Sequence, residues 1–165
     1  MLLKRWTHTL FGLITAAALI AGCARPHQMV TPFNEIEFLP YMGYGTSTIQ
    51  GQAFLKTRGG QVRYAAGNTV SLIPVTSYSS EIWQASLYGG MVNGVDGRWH
   101  IYNRNATADG FGNFEFTNIP AGEYYIECPI FWEVPGRYGL ERTGAVVKKQ
   151  TKVGPNQTVK VIMTE

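Results

Sequence analysis

Apolar and polar residues alternate along most of the chain after about residue 47, with the period of a half-buried β-strand. The clearest example lies within 109–126, where Phe114 and Phe116 alternate with polar neighbours. Pro120 cannot donate a ladder hydrogen bond and ends this run, and Tyr124 begins a second one. The residues before the first run tolerate the positive φ angles of a tight turn. The stretch therefore predicts turn, strand, turn and strand in succession.

The same pattern predicts seven strands and one short helix. The strands lie at about 48–56, 69–75, 98–108, 113–117, 123–134, 143–153 and 157–163, with an additional short strand at 62–66. Residues 76–97 form an insertion in which Ser79 or Ser80 caps a helix from Glu81 to Tyr88. Seven strands with regularly spaced turns are typical of an all-β sandwich.

The run from Asp109 to Tyr124 reads Asp-Gly-x-Gly-x-Phe-x-Phe-x-x-Ile-Pro-Ala-Gly-x-Tyr. It resembles the signature of carboxypeptidase regulatory-like domains, and the likeness extends over about 47–164. Segments 49–53 and 67–72 resemble the first two strands of that family, and 157–162 resembles the last. The resemblance implies a seven-stranded Greek-key β-sandwich of transthyretin-like type, with the helical insertion between its second and third strands. Such domains are mostly accessory modules, so the resemblance implies a fold rather than an activity.

The first 23 residues have the features of a secretion signal. Lys4 and Arg5 precede an apolar run from Leu10 to Ala21, which is too short to span a bilayer. The run ends in Leu-Ile-Ala-Gly before Cys23 and resembles the bacterial lipobox. The predicted organisation is a signal peptide at 1–22, a lipidated N-terminus and tether at 23–46, and the β-sandwich domain at 47–165. The alternatives are an ordinary cleaved signal with an accidental cysteine, or an uncleaved anchor.

The lipobox resemblance implies an address in the cell envelope. The thiol of Cys23 would receive a diacylglycerol thioether and its new amine an acyl chain, and three chains exceed what stable anchoring requires. Ala24 follows Cys23 where an aspartate would tend to retain such a protein at the inner membrane. In a Gram-negative host the prediction is therefore the outer membrane, with the domain facing the periplasm or the cell surface.

The segment 24–46 lacks a regular period and contains several proline and glycine residues. It is predicted to be a tether, and its apolar stretch Ile36 to Tyr41 is expected to lie against the domain. The alternative is a disordered linker, although the aromatic residues argue against full disorder.

Composition and charge limit the kinds of partner that the protein is expected to bind. Aromatic residues make up 13% of the chain and charged residues 15%, and the formal charge of +3 falls when the leader with Lys4 and Arg5 is removed. No basic patch with interleaved aromatic residues is present, so nucleic acid is not an expected partner.

The sequence offers little for catalysis. His8 and His27 lie outside the predicted domain, which leaves His100, and no Gly-x-Ser-x-Gly motif presents a serine nucleophile. No cluster of Cys, His and carboxylate residues has the spacing of a zinc site. We therefore predict a non-catalytic protein with no catalytic residues, no metal and no cofactor. Cys128, between Ile126 and Ile130, is expected to be buried and inert, with an intermolecular disulfide as the alternative.

The aromatic residues are more numerous than one sandwich face requires. The set comprises Trp83, Tyr88, Trp99, Tyr102, Tyr125, Phe131 and Tyr138. Trp83, Tyr88, Trp99 and Tyr102 are the candidate binding residues, and the alternative is that they pack beneath the insertion. The main functional hypothesis is a module that docks on another envelope protein, and the alternative is a glycan-binding module. A shallow row of exposed rings would favour sugar, and a broad apolar patch would favour protein.

Overall fold

The computed structural model describes residues 26–87 and 90–165. The predictions on the signal peptide, on Cys23 and on Tyr88 lie outside the described residues. Within the described residues, no helix has the length and hydropathy needed to cross a bilayer.

The described chain folds into ten strands and one α-helix. The strands are β1 (His27–Gln28), β2 (Ser47–Lys56), β3 (Val62–Tyr64), β4 (Thr69–Pro74), β5 (Val92–Asn93), β6 (Arg104–Thr107), β7 (Asn113–Ile119), β8 (Gly122–Gly136), β9 (Gly139–Val153) and β10 (Thr158–Met163). The helix is α1 (Ser77–Leu87), and short 3-10 turns occupy Glu35–Glu37, Leu39–Tyr41 and Gly97–Tyr102.

The strands form two main sheets in a sandwich-like arrangement. In the first sheet β2 lies between β10, which is parallel to it, and β7, which is antiparallel, and β3 pairs with the end of β2. The second sheet is antiparallel throughout, in the order β6-β4-β8-β9. The two-residue strands β1 and β5 pair with each other apart from both sheets. The prediction of a mostly β, sandwich-like fold with one short helix is confirmed.

The main core lies between the two sheets. Alternate side chains of β2, β4, β7 and β8 point into it, among them Ile49, Leu72, Phe116 and Ile126, all buried. Cys128 belongs to this core, as the sequence predicted, and its burial raises the pKa of the thiol to about 11. A neutral, enclosed thiol is a poor nucleophile, so Cys128 has a packing role.

A second core covers the outer face of the second sheet. Ile73 of β4 and Tyr125 of β8 point outward from that sheet into an apolar cluster. The cluster is closed by α1, by the 3-10 turn at 97–102 and by the N-terminal segment, whose Phe38 is 0% exposed. Residues 29–41 are therefore part of the folded unit, because several of their side chains complete this core. The expected contact of the stretch Ile36 to Tyr41 with the domain is confirmed, although Ile36 itself points to solvent.

The strand predicted at 98–108 is wrong for its first half. Residues Gly97–Tyr102 form a 3-10 turn and only Arg104–Thr107 is a strand. The Asp96 carboxylate accepts a hydrogen bond from the Arg98 N–H at 3.0 Å and caps the turn. Trp99 and Tyr102 are three residues apart and therefore share one side of a 3-10 helix, where both enter the second core. Burial of both rings favours this period over the strand period.

The helix begins four residues earlier than predicted. The Glu37 carboxylate accepts hydrogen bonds from the Ser77 N–H at 2.7 Å and the Ser77 hydroxyl at 2.8 Å, and both lower its pKa. A carboxylate 40 positions away thus satisfies one N–H of the first turn of α1. Ser79 is buried and its hydroxyl donates to the Pro74 carbonyl at 2.6 Å. The Thr76 hydroxyl also accepts from the Ser79 N–H at 3.1 Å, and the Ser79 hydroxyl accepts from the Thr76 N–H at 2.9 Å. The cap predicted at Ser79 or Ser80 is therefore wrong, because Thr76 occupies the capping position.

The hairpin of β8 and β9 extends beyond the second sheet. The two strands pair from Gly122 and Val153 to Gly136 and Gly139, whereas β4 pairs with β8 only over 124–127. The outer part of the hairpin, 128–147, is therefore a two-stranded ribbon that continues past β4.

Substitution of Gly112 by Ala is expected to destabilise the protein. Gly112 has a φ of +77°, and an added Cβ would collide with the Ala53 carbonyl oxygen of β2. The left-handed conformation alone costs about 1–2 kcal/mol for a residue with a Cβ, and the collision adds to this cost. Chemical denaturation should show a clearly lower unfolding midpoint.

The matched control is Gly110→Ala, because no atom lies within 4 Å of a Cβ at that position. Equal midpoints for the two variants would contradict the assigned conformation of this turn.

Candidate functional site

Three of the four predicted binding aromatics lie in the interior. Trp83, Trp99 and Tyr102 are all buried in the second core. The Trp83 ring stacks on Tyr125 with centroids 4.2 Å apart, and the Tyr102 hydroxyl donates to Glu35 at 2.9 Å. This placement corrects the expectation of an exposed platform from these residues, because the outer face of the second sheet needs them as cover. The fourth, Tyr88, lies outside the described residues.

Two exposed rings and one half-buried ring, that of Phe54, instead line the outer face of the first sheet. Phe54 of β2 and Tyr64 of β3 are paired across the sheet, and Phe111 precedes β7. The centroids of Phe54 and Tyr64, and those of Tyr64 and Phe111, are each 6.3 Å apart. Tyr64 is 42% exposed and Phe111 69%. We call these three residues the ring row. Neighbouring rings meet edge to face, so the row offers separate stacking positions rather than one flat plate.

A polar groove continues from the ring row across the same face. It has a volume of about 700 Å³ and an open mouth. Two lines of side chains cross it, and each line takes one residue from β10, one from β2 and one from β7. The first line is Lys160, Gln50 and Glu115, and the second is Ile162, Gln52 and Asn113. These positions alternate with the core residues of the same strands, so the pleat directs them to the outer face. We call this feature the polar groove.

Hydrogen bonds connect the groove to the ring row. The Gln50 amide donates to the Glu115 carboxylate at 2.7 Å, and the Gln52 amide donates to the Phe111 carbonyl at 3.0 Å. Carboxylate oxygens accept from hydroxyl groups, whereas amides both donate and accept. Such a surface complements a ligand that carries many hydroxyls along with apolar C–H faces, because those faces can pack on aromatic rings.

Asp109 holds the turn that presents Phe111. Its carboxylate accepts from the Asn113 side-chain amide at 2.9 Å and from the N–H groups of Phe111 and Asn113, each at 2.8 Å. These hydrogen bonds lower the pKa of Asp109, and the one from the Asn113 side chain has the largest effect. The carboxylate therefore holds the backbone of the turn from which the Phe111 ring projects.

The sequence contains a signal for this site in the phase of β2 rather than in the number of aromatic residues. Gln50, Gln52 and Phe54 occupy the positions of β2 opposite in phase to its buried residues. An aromatic residue in the polar phase of a strand is directed to solvent or to a partner. Phe111 lies between two glycines of the turn motif, and the sequence does not indicate a residue against which its ring would pack.

His100 is exposed at the 3-10 turn, with its ring against Trp99 at a centroid distance of 4.5 Å. Within residues 26–87 and 90–165, no group of three His, Cys, Asp or Glu side chains is arranged to hold a metal ion. That the protein is not an enzyme stays a prediction.

No protein-family model matches the chain, and no curated protein matches it. The fold is similar to the crystal structure of a Pseudomonas aeruginosa protein named as a "putative carbohydrate binding protein". The two chains are 27% identical with a TM-score of 0.72, and the match covers 83% of this chain and 100% of that one. The match supports the sandwich-like architecture, whereas membership of the carboxypeptidase regulatory-like family stays a prediction.

Asp109→Asn is expected to lower stability in a pH-dependent manner. The folded-state pKa of Asp109 lies below its unfolded value, so its contribution is present above the unfolded pKa, about 4. That contribution is lost as the pH falls through the folded-state value. Urea midpoints of the variant and the native protein should therefore differ at pH 6 and converge as the pH falls below about 4.

The control is Glu165→Gln, which removes an exposed carboxylate at the last residue of the chain. A difference for Asp109→Asn that does not change between pH 6 and pH 3 would contradict the role of the charge.

Proposed function

We propose that this chain is a carbohydrate-binding module of the cell envelope, with the ring row and the polar groove as its binding surface. The observation that carries the proposal is the presence of exposed rings next to an open, amide- and carboxylate-lined groove on one sheet face. The name of the similar Pseudomonas protein supports it. This was the alternative hypothesis from the sequence, and it rests on residues other than those the sequence singled out.

The shape of the surface favours a saccharide chain over a single small sugar. The groove is open to solvent, and the ring row extends it along β2. Its two lines of side chains, which are polar except for Ile162, are about 7 Å apart along the strands, and neighbours within a line are about 5 Å apart across the strands. Several hydroxyl groups of consecutive sugar units can be contacted at these spacings. Each contact is weak by itself because water competes for every hydroxyl.

The anchor and the finer fold class belong to the same proposal. We retain Cys23 as the lipidated residue and the outer membrane as the location, on the lipobox resemblance. We also retain the Greek-key, transthyretin-like assignment. It is supported by seven principal strands, β2, β4, β6, β7, β8, β9 and β10, which are divided between the two sheets, and by the pairing of the last strand with the first long one.

Docking on another envelope protein is the second candidate function. It is favoured by the ribbon at 128–147, which carries Tyr138 at 88% exposure and Leu140 at 69%. The Arg142 guanidinium lies 4.1 Å from the centroid of the half-exposed Phe131 ring on the same ribbon. Exposed aromatic and arginine side chains are common at protein interfaces. The ribbon is distinct from the ring row, so substitutions can separate the two functions.

Phe111→Ala is expected to weaken glycan binding. The substitution removes a stacking position and leaves the turn hydrogen bonds of Asp109 in place, since these involve the backbone and Asn113. Loss of an anchoring aromatic side chain should reduce affinity by about tenfold or more. A glycan array should first identify the bound saccharide, and isothermal titration calorimetry should then compare the variants.

Tyr138→Ala is the matched control, because it removes an exposed ring from the ribbon. Glycan affinity should be unchanged in this variant. The proposed surface is wrong if Tyr138→Ala loses binding and Phe111→Ala keeps it, and the sugar function is wrong if the native protein binds no saccharide.

Cys23→Ala is expected to abolish incorporation of labelled palmitate and to release the protein from the membrane fraction. The substitution removes the thiol that would carry the diacylglycerol. Cys128→Ala, which removes the buried thiol, should leave labelling unchanged. Palmitate that remains on the Cys23→Ala protein would rule out the proposed anchor.

A further inference from the structure

We propose that the layer formed by α1, β1 and β5 rests on the lipid bilayer and that the ring row faces away from it. This inference depends on the lipid anchor under Proposed function. It specifies what the anchor alone does not, namely an interaction surface for lipid and the orientation of the domain on the membrane.

The first argument is the short distance along the chain between the anchor and the folded domain. Four peptide units separate Cys23 from His27, the first residue of β1. At 3.8 Å between consecutive Cα atoms they span at most about 15 Å. Since the lipid would hold Cys23 at the membrane surface, His27 lies within about that distance of it.

The second argument is that the segment after His27 is fastened to α1. The Glu81 carboxylate of α1 accepts hydrogen bonds from the N–H groups of Val30 and Thr31 and contacts the His27 ring, each at 2.7 Å. The Thr31, Val30 and His27 contacts lower the pKa of Glu81 to about 2, so the carboxylate is ionised at neutral pH. We call these contacts of Glu81 the latch.

Backbone pairing and packing extend the attachment. The His27 N–H donates to the Met91 carbonyl at 2.7 Å, and the Met29 N–H donates to the Asn93 carbonyl at 3.0 Å. Further along, Phe33 and Phe38 pack in the second core. The chain from His27 to Phe38 is therefore fixed on the domain, and the predicted long tether is reduced to the few residues after Cys23.

The third argument is the character of the surface at this point. Val30 is 83% exposed and Met91 70%, and Leu87 at the end of α1 is also exposed. The Val30 N–H is part of the latch, and the Met91 carbonyl accepts a hydrogen bond from the His27 N–H. Apolar side chains held this close to an anchor can enter the headgroup region and gain from burial there.

The order of layers gives the orientation. From α1 the layers are the second core, the second sheet, the main core and the first sheet, and the ring row lies on the far face of the last. Packed layers are about 10 Å apart, so about 20 Å of protein separates α1 from the ring row. With α1 on the bilayer, the rings point away from the membrane towards a saccharide beyond it.

Site-directed spin labelling of the lipidated protein in liposomes tests the inference. Nitroxides are placed at Met91→Cys and, as the matched position on the far face, at Phe111→Cys. Cys128 is buried and Cys23 is acylated, so neither competes for the label. The label at position 91 should lose most of its collisions with a water-soluble relaxation agent on binding to liposomes. The label at position 111 should keep them.

The possible outcomes distinguish a failure of the orientation from a failure of the lipid anchor. A protein that does not float with liposomes would refute the anchor itself. A protein that floats, but whose labels at 91 and 111 stay equally accessible to water, would overturn the orientation and leave the anchor intact. Protection of the label at 111 and exposure of the label at 91 would show the opposite orientation and overturn the inference.

Glu81→Ala is the second variant, because it removes the latch and leaves the lipidation site unchanged. It should float as the native protein does, and the label at position 91 should lose part of its protection, because the backbone pairing of His27 with Met91 remains. Unchanged protection at 91 would show that the latch does not hold the domain against the membrane. Near-ultraviolet circular dichroism should confirm that the cores of this variant remain packed.

Discussion

The structure depends on one constraint: the second sheet is apolar on both of its faces. Leu72 and Ile126 point into the main core, whereas Ile73 and Tyr125, their immediate neighbours in β4 and β8, point the other way. A sheet that is apolar on both faces needs a packed layer on each side. The first sheet supplies one layer. The helix α1, the 3-10 turn at 97–102 and the N-terminal segment supply the other.

This constraint determines where a ligand surface can form. The rings of the insertion are used to cover the second sheet, with Trp83 stacked on Tyr125. The first sheet is apolar on its inner side alone, and its outer side carries Gln50, Gln52 and Phe54 in the opposite phase. Among the described residues, this outer face therefore combines exposed rings, amides and carboxylates without being needed for the core.

Periodicity predicted the parts of the fold that repeat along the chain. The strands from β7 to β10 and the burial of Cys128 follow from alternation alone, because each element has one inner face. The 3-10 turn at 97–102 was missed because it depends on burial against a distant surface. The start of α1 was misplaced because Thr76 caps it and the distant carboxylate of Glu37 adds a second partner. The ring row was missed for a related reason. A count of aromatic residues does not show which of them are buried in a core. The position of Phe54 among the polar residues of its strand indicates that its ring lies outside the core.

In the proposed arrangement, attachment and recognition occupy opposite sides of one sandwich, and this division would have a physical benefit. Single sugar contacts on an open groove are weak, since hydroxyl groups exchange water for protein at little net gain. An anchored module raises its effective concentration near a saccharide layer, and many copies on one membrane act together. The gain is retained only if the rings can reach that layer. A domain fastened by Glu81 and held within about 15 Å of the proposed anchor would fix that direction, whereas a long tether would let the rings turn towards the membrane.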